Sequence, residues 1–190
     1  MSVVHRIQAT GLEHLPGKPP YILVANHTSH LDTPALLSVL PRPIRRRTYP
    51  LAAHDTFFTT HARALLATKL LNVLPLRRQH ADRNAIATLR QRIVEDELVL
   101  IVFPEGTRGD GSAIKPFRAG IGMLVAGTDV PVVPCRLRGC EQALPKGKLL
   151  PKPTPLSLAI GKPDQFSDST MDKEGWLSIA MALYAAVDEL

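Results

Sequence analysis

The chain has 190 residues, of which 45% are apolar and 21% charged, so it suits one globular domain over residues 1–190 with a single sizeable core. Its formal net charge of +6 favours acidic partners, such as an anionic membrane surface, a phosphorylated ligand or an acidic carrier protein. Aromatic residues make up only 5% and no nucleic-acid-binding motif occurs, which argues against a nucleic-acid partner.

Short apolar segments alternate with helical patterns along the chain. The run Tyr21–Ala25 follows two prolines and predicts a buried strand. Further strands are predicted at residues 45–53, 73–76, 98–103, 130–137 and 156–160. Helices are predicted at residues 32–40, 60–71, 83–96, 117–126 and 172–190. This alternation predicts an α/β domain with a largely parallel sheet. Such sheets bind ligands beyond the carboxyl ends of their strands, here in the loops after residues 25, 76 and 103.

The first of these loops contains His27 and Asp32, five residues apart. Inside one helix the two side chains would point roughly 140° apart, so they meet only if His27 lies on the loop and Asp32 in the first helical turn. Thr28 and Ser29 favour helix N-termini, and the helix is therefore expected to begin there.

Such a histidine and carboxylate suit acyl transfer from a thioester to an alcohol. A neutral imidazole accepts the proton of the attacking hydroxyl, and a carboxylate on its other nitrogen sets the tautomer and stabilises the imidazolium. Amides at the helix start could stabilise the oxyanion of the tetrahedral intermediate.

Other interpretations of the same segment stay open on the residues alone. Ser29 to Asp32 also matches a capping box, in which Asp32 only accepts a bond from a backbone amide. His27 would then be an ordinary loop histidine, or His30 could be the base. The trio His27, His30 and Asp32 could bind a metal, but no further ligands point to one.

The loop after residue 103 has the sequence Pro-Glu-Gly-Thr-Arg. Gly106 permits close backbone approach, Thr107 adds a hydroxyl, and Arg108 offers a forked donor suited to phosphate. Glu105 could accept a bond from a substrate hydroxyl or hold Arg108 in place. The alternative is a surface turn with an internal Glu–Arg pair. After residue 76, at most one of the adjacent Arg77 and Arg78 is expected to face the site.

Taken together, these segments resemble the 1-acylglycerol-3-phosphate O-acyltransferase family. The resemblance rests on four segments in the family's order, at residues 26–32, 72–78, 103–108 and 132–134, and extends from about residue 7 to residue 163. It implies an α/β sandwich with a mixed, largely parallel sheet flanked by helices. It also implies transfer of a fatty acyl group from acyl-CoA or acyl carrier protein to a lysophospholipid, without a cofactor or metal.

The resemblance also implies residue roles. His27 would be the general base and Asp32 its partner. The acceptor headgroup, mainly its phosphate, would be bound by Arg78, Glu105, Gly106, Thr107 and Arg108. The sequence departs from the family pattern at three positions, where Asn72 replaces a usual glycine, Pro75 a usual aromatic residue and Gly109 a common serine.

Membrane contact is expected to be peripheral. Many relatives carry an N-terminal membrane-binding helical segment, whereas this chain begins almost at its first strand. No run of about 18 apolar residues could span a bilayer, and the N-terminal residues lack the layout of a signal peptide. We therefore expect a cytoplasmic protein on the inner face of the membrane. The candidate contacts are an arginine cluster at residues 42–47, or the aromatic pair Phe57 and Phe58.

Rival functions have weaker support. No Gly-x-Ser-x-Gly elbow indicates a serine hydrolase, and no dinucleotide fingerprint is in register. Cys135 and Cys140 form no disulfide framework or metal-ligand spacing, which favours a reducing compartment, although either could pair with His27. A thioesterase, or a non-catalytic module that binds lipid or an acyl carrier, remains as an alternative.

Overall fold

The computed structural model describes residues 7–53, 74–76, 83–148 and 150–190. Within these ranges the strands are β1 (Ile7–Thr10), β2 (Tyr21–Ala25), β3 (Thr48–Ala53), β4 (Leu74–Leu76), β5 (Val99–Val102), β6 (Val132–Arg138) and β7 (Leu156–Ile160). The helices are α1 (Asp32–Val39), α2 (Arg42–Arg46), α3 (Arg83–Glu95), α4 (Gly120–Val125), α5 (Cys140–Ala143) and α6 (Lys173–Asp188), with a short 3-10 turn at Leu12–His14.

The strands form one sheet in the order β1-β7-β6-β2-β5-β3-β4. Every neighbouring pair is parallel except β6 and β7, which are antiparallel. The predicted fold class, an α/β sandwich with a mixed and largely parallel sheet, is therefore confirmed. Because β2 lies between β5 and β6, the loops that follow these three parallel strands leave the sheet at the same edge.

The central strand β2 separates two apolar layers. Ile22 and Val24 pack on one face together with residues of α4 and α6, while Tyr21, Leu23 and Ala25 pack on the other face with residues of α1. This alternation follows from the two-residue period of a strand, and burial of both faces explains why the strand is apolar throughout. Gly122 lets α4 approach α6 closely, since a Cβ there would lie 2.3 Å from the carbonyl oxygen of Trp176.

Several predicted elements differ from the structure. The strand predicted at 45–53 is wrong in its first part, because α2 occupies Arg42–Arg46 and β3 begins at Thr48. Pro43 near the start of α2 has a backbone angle that suits a first helical turn. The helix predicted at 117–126 begins only at Gly120. Strand β1 and helix α5 were not predicted, since each is only four residues long and shows little periodicity.

The other predicted elements agree closely with the structure. Strands β2 and β7 have the predicted bounds, and β4 is confirmed at Leu74–Leu76. Helix α6 begins one residue after Asp172, whose side chain caps it by accepting a bond from the Gly175 amide at 2.8 Å. The predicted helix at 60–71 and the aromatic pair Phe57 and Phe58 lie outside the described residues. Across the described ranges, no helix combines the length and the apolar character that a bilayer crossing requires.

Candidate active site

The candidate site begins where the chain leaves β2. The buried side chain of Asn26 pairs with the backbone of Leu137, donating to its carbonyl oxygen at 2.9 Å and accepting from its N–H at 2.8 Å. This pair continues the contact between β2 and β6 by one residue, with a side-chain amide in place of a peptide group. Asn26 thus sets the direction in which the next residue, His27, enters the loop.

His27 and Asp32 are in contact, as the sequence predicted. The Nδ1 atom of His27 lies 2.8 Å from Oδ2 of Asp32, whose side chain is fully buried, while the His27 side chain is 22% exposed. An ionised Asp32 requires the ring proton on Nδ1, and this leaves Nε2 as the acceptor nitrogen. Within the described residues Nε2 has no hydrogen-bond partner, so it is the atom of this ring that can take a proton from a substrate.

The helix begins at Asp32, as the predicted segment 32–40 has it, and not at Thr28 or Ser29, where the capping residues suggested a start; the reason is the Asp32 carboxylate. Helix α1 begins at Asp32 itself, and the backbone of residues 28–31 turns around the carboxylate. The amides of Thr28 and Ser29 donate to Oδ2 at 2.7 and 2.8 Å. Asp32 therefore caps the turn and binds His27 at once, and the two interpretations of the sequence do not exclude each other. These two amides are directed at Asp32, so they do not form the expected oxyanion site.

The imidazole plane is fixed by a ring contact. Phe103, directly after β5, stacks on His27 with ring centroids 4.3 Å apart and planes inclined by 18°. Asp32 holds one edge of the imidazole and Phe103 covers one face. These two contacts hold the ring in one orientation without a ligand. Asp32 at the start of α1 and Phe103 after β5 together set the direction in which Nε2 points.

Glu105 has a different position from the one that the sequence predicted. Its carboxylate is buried, with 3% of the residue exposed, and accepts backbone N–H bonds from His27 at 2.6 Å and from Lys115 at 3.0 Å. Neither the predicted surface turn with a Glu–Arg pair nor a grip on Arg108 is present among the described contacts. The Gly109 amide also donates to the His27 carbonyl at 2.8 Å, so the second loop holds both sides of the His27 backbone.

The rest of this loop is more open. Gly106 has φ +72, and a Cβ there would lie 2.9 Å from Nε of Arg118, so backbone angle and space both require glycine. Thr107 is exposed and Arg108 is half-buried. The pKa of His30 is lowered, first by partial desolvation of its ring and then by the neighbouring Arg108 cation. Arg108 therefore lies close enough to the first loop to act on it electrostatically.

The structure brings the first and third predicted segments together. Arg77 and Arg78 lie outside the described residues, so the role predicted for Arg78 stays a prediction. In the described ranges, no group of three or more His, Cys, Asp or Glu side chains could hold a metal ion.

Two residues of α5, Cys140 and Glu141, lie near the Asp32 carboxylate, and the sequence did not predict either contact. Thr28 is buried, and its hydroxyl lies 3.4 Å from Oε2 of Glu141 on α5. Burial raises the pKa of the Cys140 thiol, and the adjacent Asp32 carboxylate raises it further. Both contacts come from α5, an element that the sequence pattern did not predict, so only the fold could reveal them.

A family model and several known proteins are similar to this chain. The family model described as "Acyltransferase" matches residues 6–138. Human 1-acyl-sn-glycerol-3-phosphate acyltransferase alpha is 30% identical over 131 residues, which are 68% of this chain and 44% of that protein. The chloroplastic 1-acyl-sn-glycerol-3-phosphate acyltransferase BAT2 of Brassica napus is 31% identical over 146 residues, covering 75% of this chain and 40% of that protein. This chain thus spans less than half the length of these relatives.

A solved structure shares the fold. The crystal structure of the 1-acyl-sn-glycerophosphate (LPA) acyltransferase PlsC from Thermotoga maritima superimposes with a TM-score of 0.71 at 26% sequence identity. The match covers 96% of this chain and 71% of that one. The similarity therefore extends over nearly the whole chain.

Proposed function

The chain belongs to the acyltransferase family, and from that premise we propose that it transfers a fatty acyl group from a thioester to the hydroxyl of a lysophospholipid, with His27 as general base. Because similar proteins are 1-acyl-sn-glycerol-3-phosphate acyltransferases, 1-acylglycerol-3-phosphate is the first acceptor to test. The observation that carries the proposal is the buried Asp32 carboxylate on Nδ1 of a partly exposed His27.

The proposed reaction needs no covalent enzyme intermediate, because a thioester is already activated. The acceptor hydroxyl attacks the thioester carbonyl while Nε2 of His27 accepts its proton. Asp32 stabilises the imidazolium that forms. The tetrahedral intermediate then expels the thiolate, which takes the proton back from His27 and leaves as a free thiol. The new ester bond replaces the broken thioester bond, so the step balances without a co-reactant.

Both cysteines fit poorly as alternative nucleophiles. Cys135 and Cys140 are fully buried, and burial raises the pKa of Cys135 to about 12. A thiol of that pKa carries almost no thiolate near neutral pH. This supports direct transfer from the donor to the acceptor rather than an acyl-cysteine intermediate.

In this proposal Glu105 does not bind the headgroup, whereas the family resemblance implied that it does. Arg108, Thr107 and Gly106 remain candidates for the acceptor headgroup, together with Arg78. Glu105 acts instead as a positioning residue, because its two oxygens face the backbone N–H groups of His27 and Lys115. A buried anion of this kind would repel a phosphate rather than bind it.

We also propose peripheral attachment to an anionic membrane through the arginine cluster at residues 42–47. All four arginines are exposed. Two of them are locally engaged, since Arg45 donates to the carbonyl of Leu40 and Arg47 pairs with Glu97. Basic residues near an anionic surface contribute about 1 kcal/mol each, enough for a reversible contact that brings the enzyme to its lipid acceptor.

The test is thiol release from acyl-CoA and from acyl carrier protein, each with and without lysophospholipid, with products identified by mass spectrometry. Acceptor-dependent release and a diacyl product support transfer. Equal release without acceptor indicates a thioesterase, and lipid binding without any release indicates a non-catalytic module. A matrix of donors against acceptors in the same assay identifies the preferred donor and headgroup.

A further inference from the structure

Three basic side chains line one cavity beside the candidate site. The cavity has a volume of about 390 Å³, and the basic residues are Arg108, Lys115 and Lys146. Lys146 lies on the loop that follows α5 and belongs to none of the four segments that carry the family resemblance. Thr28 also lines the cavity, so the space begins one residue from His27.

Two carboxylates line the same cavity, but each is engaged by a neighbouring group. Asp110 accepts from the amide and hydroxyl of Ser112 at 3.0 and 2.6 Å. Glu141 lies 3.4 Å from the Thr28 hydroxyl. Neither carboxylate forms an ion pair with a cation of this cavity in the described part of the chain.

The cations differ in what they contact. The Lys115 ammonium donates to the backbone carbonyl of Arg108 at 3.1 Å and lies 3.5 Å from the Thr107 hydroxyl, so it braces the loop. The Arg108 guanidinium and the Lys146 ammonium, by contrast, have no hydrogen bond or ion pair to any described residue. Two unpaired cations around one cavity repel each other, and an anion between them removes that repulsion and supplies the missing acceptors.

We propose that Lys146 and Arg108 together bind the phosphate of the acyl acceptor, and that Lys146 is a specificity-determining residue for a phosphorylated headgroup. This inference rests on the proposed function. In a glycerol phosphate the reacting hydroxyl and the phosphate ester are on adjacent carbons, so the phosphate must lie close to the base. The cavity satisfies this because Gly109 lines it and donates its amide to the His27 carbonyl.

The experiment compares Lys146→Ala with Lys148→Ala. Lys148 is an exposed lysine two residues further along the same loop and does not line the cavity. Binding of 1-hexanoylglycerol 3-phosphate, a soluble acceptor, is measured by calorimetry without any donor. We expect Lys146→Ala to weaken binding about tenfold or more, since a charge-assisted hydrogen bond is lost. Lys148→Ala should bind as the wild type does, and Lys146→Arg should restore most of the affinity.

A phosphate-free probe and a donor titration complete the test. The unphosphorylated 1-hexanoylglycerol should bind all variants equally weakly. Unchanged binding of the phosphorylated probe in Lys146→Ala, or an equal loss in Lys148→Ala, would overturn the inference. A raised KM for acyl-CoA with unchanged acceptor binding would assign the cavity to a donor phosphate and would also overturn it.

These outcomes are separable from the fate of the proposed function. If the wild type transfers no acyl group but binds the phosphorylated probe through Lys146, the phosphate site stands and the proposed activity fails. If transfer is normal and Lys146→Ala changes neither acceptor KM nor affinity, the phosphate site fails alone. The melting temperature of each variant is measured in parallel, and the exposure of Lys146 makes a folding defect unexpected.

Discussion

The buried carboxylate of Glu105 accepts a hydrogen bond from the backbone N–H of His27 at 2.6 Å, across 78 residues of sequence. This bond joins the loop after β5 to the loop after β2. It acts on the main chain of His27, whereas Asp32 and Phe103 hold its side chain. The imidazole is thus placed by contacts from both loops, and loss of either should displace it.

Glu105→Gln tests this positioning role. The amide keeps the shape but replaces one acceptor oxygen by an NH2 group that faces a backbone N–H. We expect the free energy of unfolding to fall by about 1–3 kcal/mol, since a buried donor loses its partner. We also expect kcat to fall roughly 10- to 100-fold, because small displacements of a catalytic group are costly. Urea unfolding and steady-state kinetics measure the two effects.

The matched control is Glu189→Gln, which removes the same charge from an exposed position near the end of α6. It should change neither stability nor kcat. A raised acceptor KM with unchanged kcat in Glu105→Gln would contradict positioning and would restore the headgroup role that the sequence predicted.

His27→Ala and His30→Ala distinguish the two candidate bases. The two histidines are three residues apart, and among the described contacts the ring of His27 pairs with the Asp32 carboxylate at 2.8 Å. The pKa of His30 is lowered, first by partial desolvation of its ring and then by the Arg108 cation, so His30 still has to be tested as a base by substitution. We expect His27→Ala to reduce kcat by about 10²–10⁴-fold and His30→Ala to retain most of the rate.

Both variants should fold, since neither residue belongs to the apolar core. Circular dichroism and thermal unfolding check this. Substantial activity in His27→Ala, together with its loss in His30→Ala, would reverse the assignment.

Local patterns predicted much of this site, and tertiary contacts explain what they missed. The contact between His27 and Asp32 followed from strand, loop and helix order within a dozen residues. The bonds from Glu105 to His27 and from Asn26 to Leu137 join residues 78 and 111 positions apart. They depend on β2 lying between β5 and β6. The convergence of loops in a parallel sheet was predictable, but which atoms meet there was not.

Helix α1 does not begin at the capping residues Thr28 and Ser29, and the cause is of the same kind. Thr28 and Ser29 are typical capping residues, and their amides are indeed satisfied, but by the Asp32 side chain further along the chain. Capping rules alone do not distinguish a residue that begins a helix from one that lies in the turn before it. Helix α2 was missed because its run of arginines carries no apolar periodicity.

Asn26→Ala tests the side-chain pair that directs the chain out of β2. The substitution leaves the N–H and carbonyl of Leu137 without partners in a buried environment. We expect the free energy of unfolding to fall by about 2–4 kcal/mol, since each unsatisfied buried group costs about 1–3 kcal/mol. Asn26→Asp keeps an acceptor but loses the donor and adds a charge, so it should be at least as destabilising.

Gln165→Ala is the control for Asn26. Its side chain also donates to a backbone carbonyl, that of Asp129 at 2.9 Å, but the contact is exposed. A loss below about 0.5 kcal/mol is expected there. If urea unfolding gave equal losses for Asn26→Ala and Gln165→Ala, the buried pair would have no special role in stability.

The two buried thiols should make the protein lose stability at high pH. Burial raises the pKa of Cys135 from its ordinary value of 9.0 to about 12, and the pKa of Cys140 is raised by burial and by Asp32. Between about pH 9 and 12 the thiols ionise in the unfolded chain but not in the native one. Stability is therefore fully present below pH 9 and falls as the pH rises, by about 1.4 kcal/mol per pH unit for each thiol.

Urea unfolding at several pH values between 8 and 10.5 measures how steeply the free energy of unfolding falls with pH. In Cys135→Ala this slope should be smaller by the contribution of one thiol. Comparing slopes rather than absolute stabilities removes the cost of the cavity that alanine leaves.

A thiol reagent such as DTNB should label both cysteines only after unfolding, because neither is exposed or ionised in the native state. Rapid labelling of the native protein would contradict the raised pKa values of the two thiols. So would a pH dependence of stability in Cys135→Ala that equals that of the wild type. Acyl transfer should persist in Cys135→Ala, since the hydroxyl attacks the thioester without a protein thiol.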